Sequence, residues 1–136
     1  SIKPLLKDHH KKALILGTGG ASKAIAYALR SLKIEYDFVS RTADEFQYKY
    51  EELDASIFEE YTVIINTTPV GTHPNVNDCP NLDYSLFTKK HIAYDLIYNP
   101  EETAFLRKAK AQGAVTKNGY EMLVLQAEKA WKIWNE

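Results

Sequence analysis

The sequence Lys-Ala-Leu-Ile-Leu-Gly-Thr-Gly-Gly-Ala-Ser at residues 12–22 decides the fold. Its first five residues form an apolar run, which predicts a buried β-strand. Apolar residues then recur at helical spacing and predict a helix whose buried stripe consists of Ala21, Ile25, Ala28, Leu29 and Leu32. A glycine-rich turn joins the two elements, so the stretch has the strand–turn–helix order of a dinucleotide-binding unit.

The glycine turn itself predicts an anion-binding site. In such a unit the first glycine, here Gly17, allows the tight turn, and the second, Gly19, lets the backbone approach a pyrophosphate. N–H groups at the start of the helix then bind the anion together with the helix dipole. Ser22 stands where a third glycine is usual, so the pattern departs from the strict fingerprint. The alternative is a turn that only connects two elements.

Apolar runs alternate with amphipathic stretches along the rest of the chain. This alternation predicts an α/β fold, namely a doubly wound, Rossmann-like parallel sheet with helices on both faces. Further strands are predicted at residues 36–40, 61–66, 92–96 and 114–116.

The remaining helices are predicted from their termini and their periodicity. One begins with Asn99 as its cap and Pro100 in its first turn, and the last extends over residues 119–134. Residues 43–60 lack a clean period and predict a short or irregular helix. Residues 71–88 predict a loop with one helical turn.

The end of the second predicted strand bears on the choice of dinucleotide. An NAD-binding unit usually has an acidic residue there to bond the ribose 2′-OH, whereas this chain has Ser40, Arg41 and Thr42. An arginine can hold a 2′-phosphate through paired, charge-assisted hydrogen bonds, so the sequence predicts NADP. Against this, a surface arginine is often merely solvated, and Asp44 and Glu45 would repel a phosphate.

Composition and length narrow the class of protein. The 136 residues, 45% hydrophobic and 26% charged, predict a single globular domain. The net charge of −1 and the lack of a long apolar run predict no nucleic-acid partner and no membrane association. Cys79 is the single cysteine, so we expect no internal disulfide and a cytoplasmic protein. His73 and His91 have no partners at metal-ligand spacing, and no metal site is expected.

Three further strings carry a family resemblance. They are Asn-Thr-Thr-Pro-Val-Gly at 66–71, Tyr-Asp-Leu-Ile-Tyr-Asn-Pro at 94–100 and Asn-Gly-Tyr-Glu-Met-Leu-Val-Leu-Gln at 118–126. Together with the glycine turn and the Ser-Arg-Thr string, their order and spacing resemble the C-terminal domain of shikimate dehydrogenases. The resemblance extends from about Ile2 to Trp134.

This resemblance implies NADP as cofactor and hydride transfer that reduces 3-dehydroshikimate to shikimate in aromatic amino acid biosynthesis. In all, the candidate cofactor-binding residues are Gly17, Thr18, Gly19, Gly20, Ala21, Ser40, Arg41, Thr42, Asn66, Thr67, Thr68, Pro69, Val70, Gly119 and Met122. The residues implied to bind shikimate or 3-dehydroshikimate are Tyr98 and Gln126.

The chain also departs from the family pattern. Ser40 replaces the usual Asn, and Glu45 stands where a basic residue is common. The family's catalytic Lys and Asp lie in an N-terminal substrate-binding domain, and no lysine here matches them. We therefore expect residues 1–136 to form only the NADP-binding domain, with 1–11 as an interdomain helix or connector. No catalytic residue is assigned, and we expect the isolated chain to bind cofactor with negligible turnover.

Other interpretations remain open at this point. The chain can be the cofactor domain of a quinate/shikimate dehydrogenase, a stand-alone dinucleotide-binding regulatory module, or an interaction domain that has lost its ligand. Locally, residues 66–68 can simply satisfy backbone groups at a strand end. Tyr98 can be a structural aromatic residue, and Gln126 a solvated one.

Arg41→Ala tests the predicted contact with the 2′-phosphate. Loss of a charged hydrogen-bond donor should weaken NADPH binding by about 10- to 100-fold and leave NADH binding nearly unchanged. Calorimetric titration with both dinucleotides measures the two affinities. An equal loss for NADPH and NADH would contradict the assignment of Arg41 to the 2′-phosphate.

Overall fold

The computed structural model describes residues 10–40, 48–71, 75–97 and 102–119. Its centre is a six-stranded sheet in the order β3-β2-β1-β4-β5-β6, and every neighbouring pair is parallel. The strands are β1 (Lys12–Leu16), β2 (Glu35–Ser40), β3 (Tyr48–Lys49), β4 (Val63–Asn66), β5 (Ile92–Asp95) and β6 (Val115–Asn118). The predicted doubly wound, Rossmann-like fold is confirmed.

Three helices connect these strands within the described residues. They are α1 (Gly20–Ser31), α2 (Ala55–Glu60) and α3 (Ala104–Ala111), and single 3₁₀ turns lie at Tyr50–Glu52 and Tyr84–Leu86. The short helix within residues 43–60 and the helical turn in the loop 71–88 are thereby confirmed. No described helix is long and apolar enough to cross a membrane. The last predicted helix, at 119–134, lies almost wholly outside the described residues.

The predicted cap of the penultimate helix is wrong. Helix α3 begins at Ala104, and its cap is Thr103, whose hydroxyl accepts a hydrogen bond from the Leu106 N–H at 3.3 Å. This bond satisfies one of the N–H groups that the first helical turn leaves without a backbone partner. Asn99 and Pro100 themselves lie outside the described residues.

The sheet separates two hydrophobic clusters, one on each face. Leu14 and Leu16 of β1 belong to the cluster that contains Phe58 of α2 and residues of α3, whereas Ala13 and Ile15 belong to the cluster under α1. Alternate residues of a strand point to opposite faces, and both faces of β1 are fully buried. The continuous apolar run at 12–16 follows from this burial.

The buried stripe of α1 differs in part from the prediction. Ser22, Ile25, Ala26 and Leu29 are buried, whereas Ala21 and Ala28 are exposed. The small side chains at 22 and 26 face the sheet and allow close packing of the helix, which is the role of the third small residue in a dinucleotide-binding turn.

Candidate functional site

The strand order places a crevice at the carboxyl ends of β1 and β4. The chain proceeds from β1 outward to β2 and β3, and then returns to the other side of β1 as β4. The loops after β1 and β4 therefore leave the sheet in opposite directions. In open parallel sheets, ligands bind in the crevice at such a switch point.

Gly17 is a glycine that the fold itself requires. Its φ of +109° lies in a region that L side chains rarely adopt, and its N–H donates to the Val39 carbonyl at 2.8 Å. A Cβ on Gly17 would lie 2.8 Å from Thr67 Oγ1 and 3.1 Å from Thr68 Cγ2. Gly17 therefore allows the turn after β1 to pass closely beside the loop after β4.

Gly19 and Gly20 are not required by the fold in this way. Gly19 caps α1 with φ −78° and ψ −168°, an extended conformation open to any residue. A Cβ on Gly19 or Gly20 would meet no described atom within 4 Å. The open space lies at the N-terminus of α1, where backbone N–H groups and the helix dipole favour an anion. Ser22 steadies the turn, because its hydroxyl donates to the Gly19 carbonyl at 2.6 Å.

The loop after β4 is built by side-chain bonds to the backbone. Thr67 donates from both its N–H and its hydroxyl to the Leu16 carbonyl, at 3.0 and 2.6 Å. Asn66 Oδ1 accepts from the N–H and the hydroxyl of Thr68 at 3.0 and 2.6 Å. Thr68 Oγ1 in turn accepts from the Val70 N–H at 3.3 Å. These bonds show that residues 66–68 satisfy backbone groups at the end of β4. They also turn residues 68–70 toward the crevice.

Behind this loop lies a buried polar network. Asp95 is fully buried and accepts hydrogen bonds from Asn66 Nδ2 at 3.2 Å, Ile97 N at 3.0 Å and Thr103 Oγ1 at 2.7 Å. Burial raises the pKa of the Asp95 carboxyl to about 6, although the three hydrogen bonds act in the opposite direction. The network joins the ends of β4 and β5 to the N-terminus of α3.

The crevice is a cleft of about 820 Å³, within the range of small-molecule and cofactor sites. It is lined by Gly17, by Val39 and Ser40 at the end of β2, and by residues 68–70 of the loop after β4. Thr18, Gly19 and Ala21 are exposed beside Gly17 in the glycine turn. Of the predicted candidates, the structure thus brings Gly17, Ser40 and residues 68–70 to one cleft.

Besides Val39 of β2, five residues that line the cleft were not among the predicted candidates. These are Tyr50, Glu51, Cys79, Pro80 and Asn81. Tyr50 also packs against the hydrophobic cluster under α3. The sequence carries no periodic signal for them, because they lie on a 3₁₀ turn and an irregular loop.

Gly119 follows β6 and is buried. A Cβ there would lie 2.1 Å from the Leu96 carbonyl oxygen, so this backbone packs directly on the residue that follows β5. Contact of Gly119 with a nicotinamide stays a prediction, as do the roles of the other candidates. Arg41, Thr42, Tyr98, Met122 and Gln126 lie outside the described residues.

His91 has a structural role at the amino end of β5, on the side of the sheet away from the strands' carboxyl ends. Its Nδ1 accepts the Thr88 N–H at 3.0 Å, so Nε2 carries the proton and donates to the Phe58 carbonyl at 2.7 Å. Both ring nitrogens are thereby engaged within the protein. Among the described residues, no group of three or more His, Cys, Asp and Glu side chains is arranged to hold a metal ion.

The sequence is similar to curated shikimate dehydrogenases. It is 38% identical over 138 residues to the shikimate dehydrogenase (NADP(+)) of Carboxydothermus hydrogenoformans, with 91% of this chain and 49% of that protein covered. The chain spans about half the length of the curated relatives that it matches. No protein-family model matches the sequence.

Solved structures agree with the sequence relatives. Shikimate 5-dehydrogenase of Thermus thermophilus, in complex with NADP(H) and shikimate, is 35% identical with a TM-score of 0.74 over 90% of this chain and 48% of that one. Shikimate 5-dehydrogenase of Listeria monocytogenes, in complex with shikimate and NAD, is 26% identical with a TM-score of 0.80 over 98% of this chain and 54% of that one.

Gly19→Val tests whether the open space at the turn serves a ligand. The valine side chain should fill the proposed anion site and weaken dinucleotide binding by at least about tenfold, while loss of the preferred helix cap should lower stability by no more than about 1 kcal/mol. Calorimetry and thermal unfolding measure the two effects. The control is Gly119→Ala, which should destabilise the fold because its Cβ would meet the Leu96 backbone. Unchanged dinucleotide affinity in Gly19→Val would refute the role of the turn.

Asp95→Asn tests the buried network through the pH dependence of stability. The folded-state pKa of about 6 exceeds the ordinary value of 3.8, so the contribution of protonated Asp95 is fully present below about pH 4 and is lost as the pH rises through about 6. Relative to Asp95→Asn, the wild type should lose about 3 kcal/mol of unfolding free energy across this window, since each pH unit contributes about 1.4 kcal/mol. Chemical denaturation at several pH values measures it, with the exposed Asp78→Asn as control. A constant difference between wild type and Asp95→Asn from pH 4 to 7 would contradict the raised pKa.

Proposed function

We propose that this chain, which belongs to the shikimate dehydrogenase family over about half of that family's length, is a domain that binds NADP(H). The observation that carries the proposal is the open space at Gly19 and Gly20, at the start of α1 and beside the cleft. The fold leaves this space free without needing glycine there. An approaching pyrophosphate explains the lack of side chains.

We assign each part of the cofactor to a part of the candidate site. The pyrophosphate would bind the N–H groups of the glycine turn from Thr18 to Ala21, because the Gly17 N–H already donates to the Val39 carbonyl. The adenosine ribose and its 2′-phosphate would bind at the end of β2, where Ser40 lines the cleft and Arg41 and Thr42 follow in the sequence. The other ribose and the nicotinamide would lie along residues 67–70 toward the end of β6. There Gly119 and, further along the chain, Met122 would complete the site.

We further propose that the complete enzyme interconverts 3-dehydroshikimate and shikimate. When bound, NADPH supplies the hydride that reduces the carbonyl. Tyr98 and Gln126 would line the substrate pocket, as the family resemblance implies. The names of the curated relatives and the shikimate complexes of the solved neighbours support this assignment.

Proton transfer would depend on another part of the enzyme. Reduction of a carbonyl requires a proton donor within hydrogen-bond reach of the oxygen. The described residues that line the cleft include no lysine, which is the residue that the family resemblance implies for catalysis together with an Asp. We therefore propose that a separate substrate-binding domain supplies this group, and that the 136-residue chain alone binds cofactor without appreciable turnover.

Titration of this chain with NADPH and with NADH, followed by an activity assay, tests the proposed function. We expect saturable binding of NADPH, weaker binding of NADH, and no shikimate-dependent reduction of NADP⁺ above the enzyme-free rate. Gly19→Val serves as the control in which the proposed pyrophosphate site is blocked. Failure of the wild type to bind either dinucleotide would overturn the proposal, and turnover by the isolated chain would overturn the part that concerns proton transfer.

A further inference from the structure

Glu51 gives the cleft a negative charge near the end of β2. Of the described residues that line the cleft, Glu51 is the only acidic or basic one. Its side chain is exposed, and it makes no hydrogen bond or ion pair with any described residue. Within the described residues, the carboxylate is therefore available to a ligand in this part of the cleft.

The position of Glu51 follows from the pairing of β3 with β2. The two strands are in register at their ends, with Val39 opposite Tyr48 and Ser40 opposite Lys49. The 3₁₀ turn 50–52 begins directly after this pair, so Glu51 and Ser40 reach the same cleft from neighbouring strands.

The turn also separates the roles of two adjacent glutamates. Glu52 Oε1 accepts the Lys49 N–H at 2.8 Å, and the Leu53 N–H donates to the Tyr50 carbonyl at 3.3 Å. These bonds close the turn, and they occupy the Glu52 carboxylate with the N–H of the residue that precedes the turn. Glu51 precedes Glu52 on the turn, has no such bond within the described residues, and lines the cleft.

The chemistry of the ribose decides what a carboxylate does at this place. In a dinucleotide-binding unit, the ribose 2′ position lies beyond the end of the second strand, and a carboxylate there accepts a hydrogen bond from a 2′-OH. The same carboxylate repels a 2′-phosphate by like charge, which is a means of discrimination between related ligands. Here the second strand ends in Ser40, and the described carboxylate of the cleft comes from the turn after β3.

We propose that Glu51 is a specificity-determining residue that faces the 2′ position of the adenosine ribose and limits the preference for NADP over NAD. This inference rests on the proposed dinucleotide function. It assigns to β3 and its turn a role in discrimination that the sequence alone places at residues 40–42.

Glu51→Gln tests the inference, with Glu59→Gln as the matched control. Glu59 is an exposed glutamate of α2 that does not line this cleft, so both variants remove one negative charge. Affinities are measured by calorimetry for NADP⁺ and NAD⁺, and for the fragments adenosine 2′,5′-bisphosphate and AMP. Glu51→Gln should raise the preference for NADP⁺ over NAD⁺ by about three- to tenfold at low salt, as expected for loss of one solvent-screened like charge.

The fragment pair locates the effect on the ribose. In Glu51→Gln, the affinity for adenosine 2′,5′-bisphosphate should rise and the affinity for AMP should not. Glu59→Gln should leave unchanged both the ratio of NADP⁺ to NAD⁺ affinity and the ratio of bisphosphate to AMP affinity. Equal ratios of NADP⁺ to NAD⁺ affinity in wild type and Glu51→Gln would overturn the inference. NADP⁺ binding by the wild type would still uphold the proposed function in that case. A similar rise in both variants would also overturn it, since the effect would then come from net charge. Absence of dinucleotide binding in the wild type would overturn both proposals.

Discussion

The cleft depends on the close approach of the loops that follow β1 and β4. The Thr67 hydroxyl donates to the Leu16 carbonyl at 2.6 Å. The Thr67 hydroxyl oxygen also lies 2.8 Å from the place where Gly17 would carry a Cβ. A side chain at Gly17 would therefore push the two loops apart and would also require φ of +109°. With the two loops held together at their bases, residues 68–70 form one wall of the cleft while the glycine turn leads into α1 on the other side.

The buried network behind the β4 loop keeps that wall in place. Asn66 and Asp95 are both fully buried at the ends of adjacent strands, and a polar group costs free energy in such a place unless it is hydrogen-bonded. Each is bonded, and no buried side-chain nitrogen or oxygen atom of the described residues lacks a partner. Thr103 takes part twice, since its hydroxyl donates to Asp95 and accepts from Leu106 at the start of α3. A change at this helix terminus would thus reach the loop that lines the cleft.

Strong periodic or turn signals made much of this arrangement predictable from the sequence. The strand at 12–16, the glycine turn and α1 follow from an apolar run, a glycine cluster and helical spacing. The local pattern Asn99–Pro100 is a good helix start, but it carries no information on Asp95, whose hydrogen bond favours Thr103 as the observed cap. The two-residue strand β3 is too short for a period, so its effect on the cleft was missed. Glu51 and Tyr50 reach the cleft only through the pairing of β3 with β2.

The glycines of this chain show why a sequence motif and a binding site are different kinds of evidence. Gly17 and Gly119 lack side chains because neighbouring atoms of the same chain occupy the space, at 2.8 Å and 2.1 Å from a Cβ. Gly19 has an ordinary extended conformation, and both it and Gly20 face open space. Replacement of a solvent-exposed glycine at such a site generally favours folding, because it lowers the entropy of the unfolded chain. Folding alone thus gives no reason for glycine at 20 and only the modest preference for glycine at a helix cap at 19, whereas a phosphate that must approach the backbone N–H groups of α1 gives a direct reason.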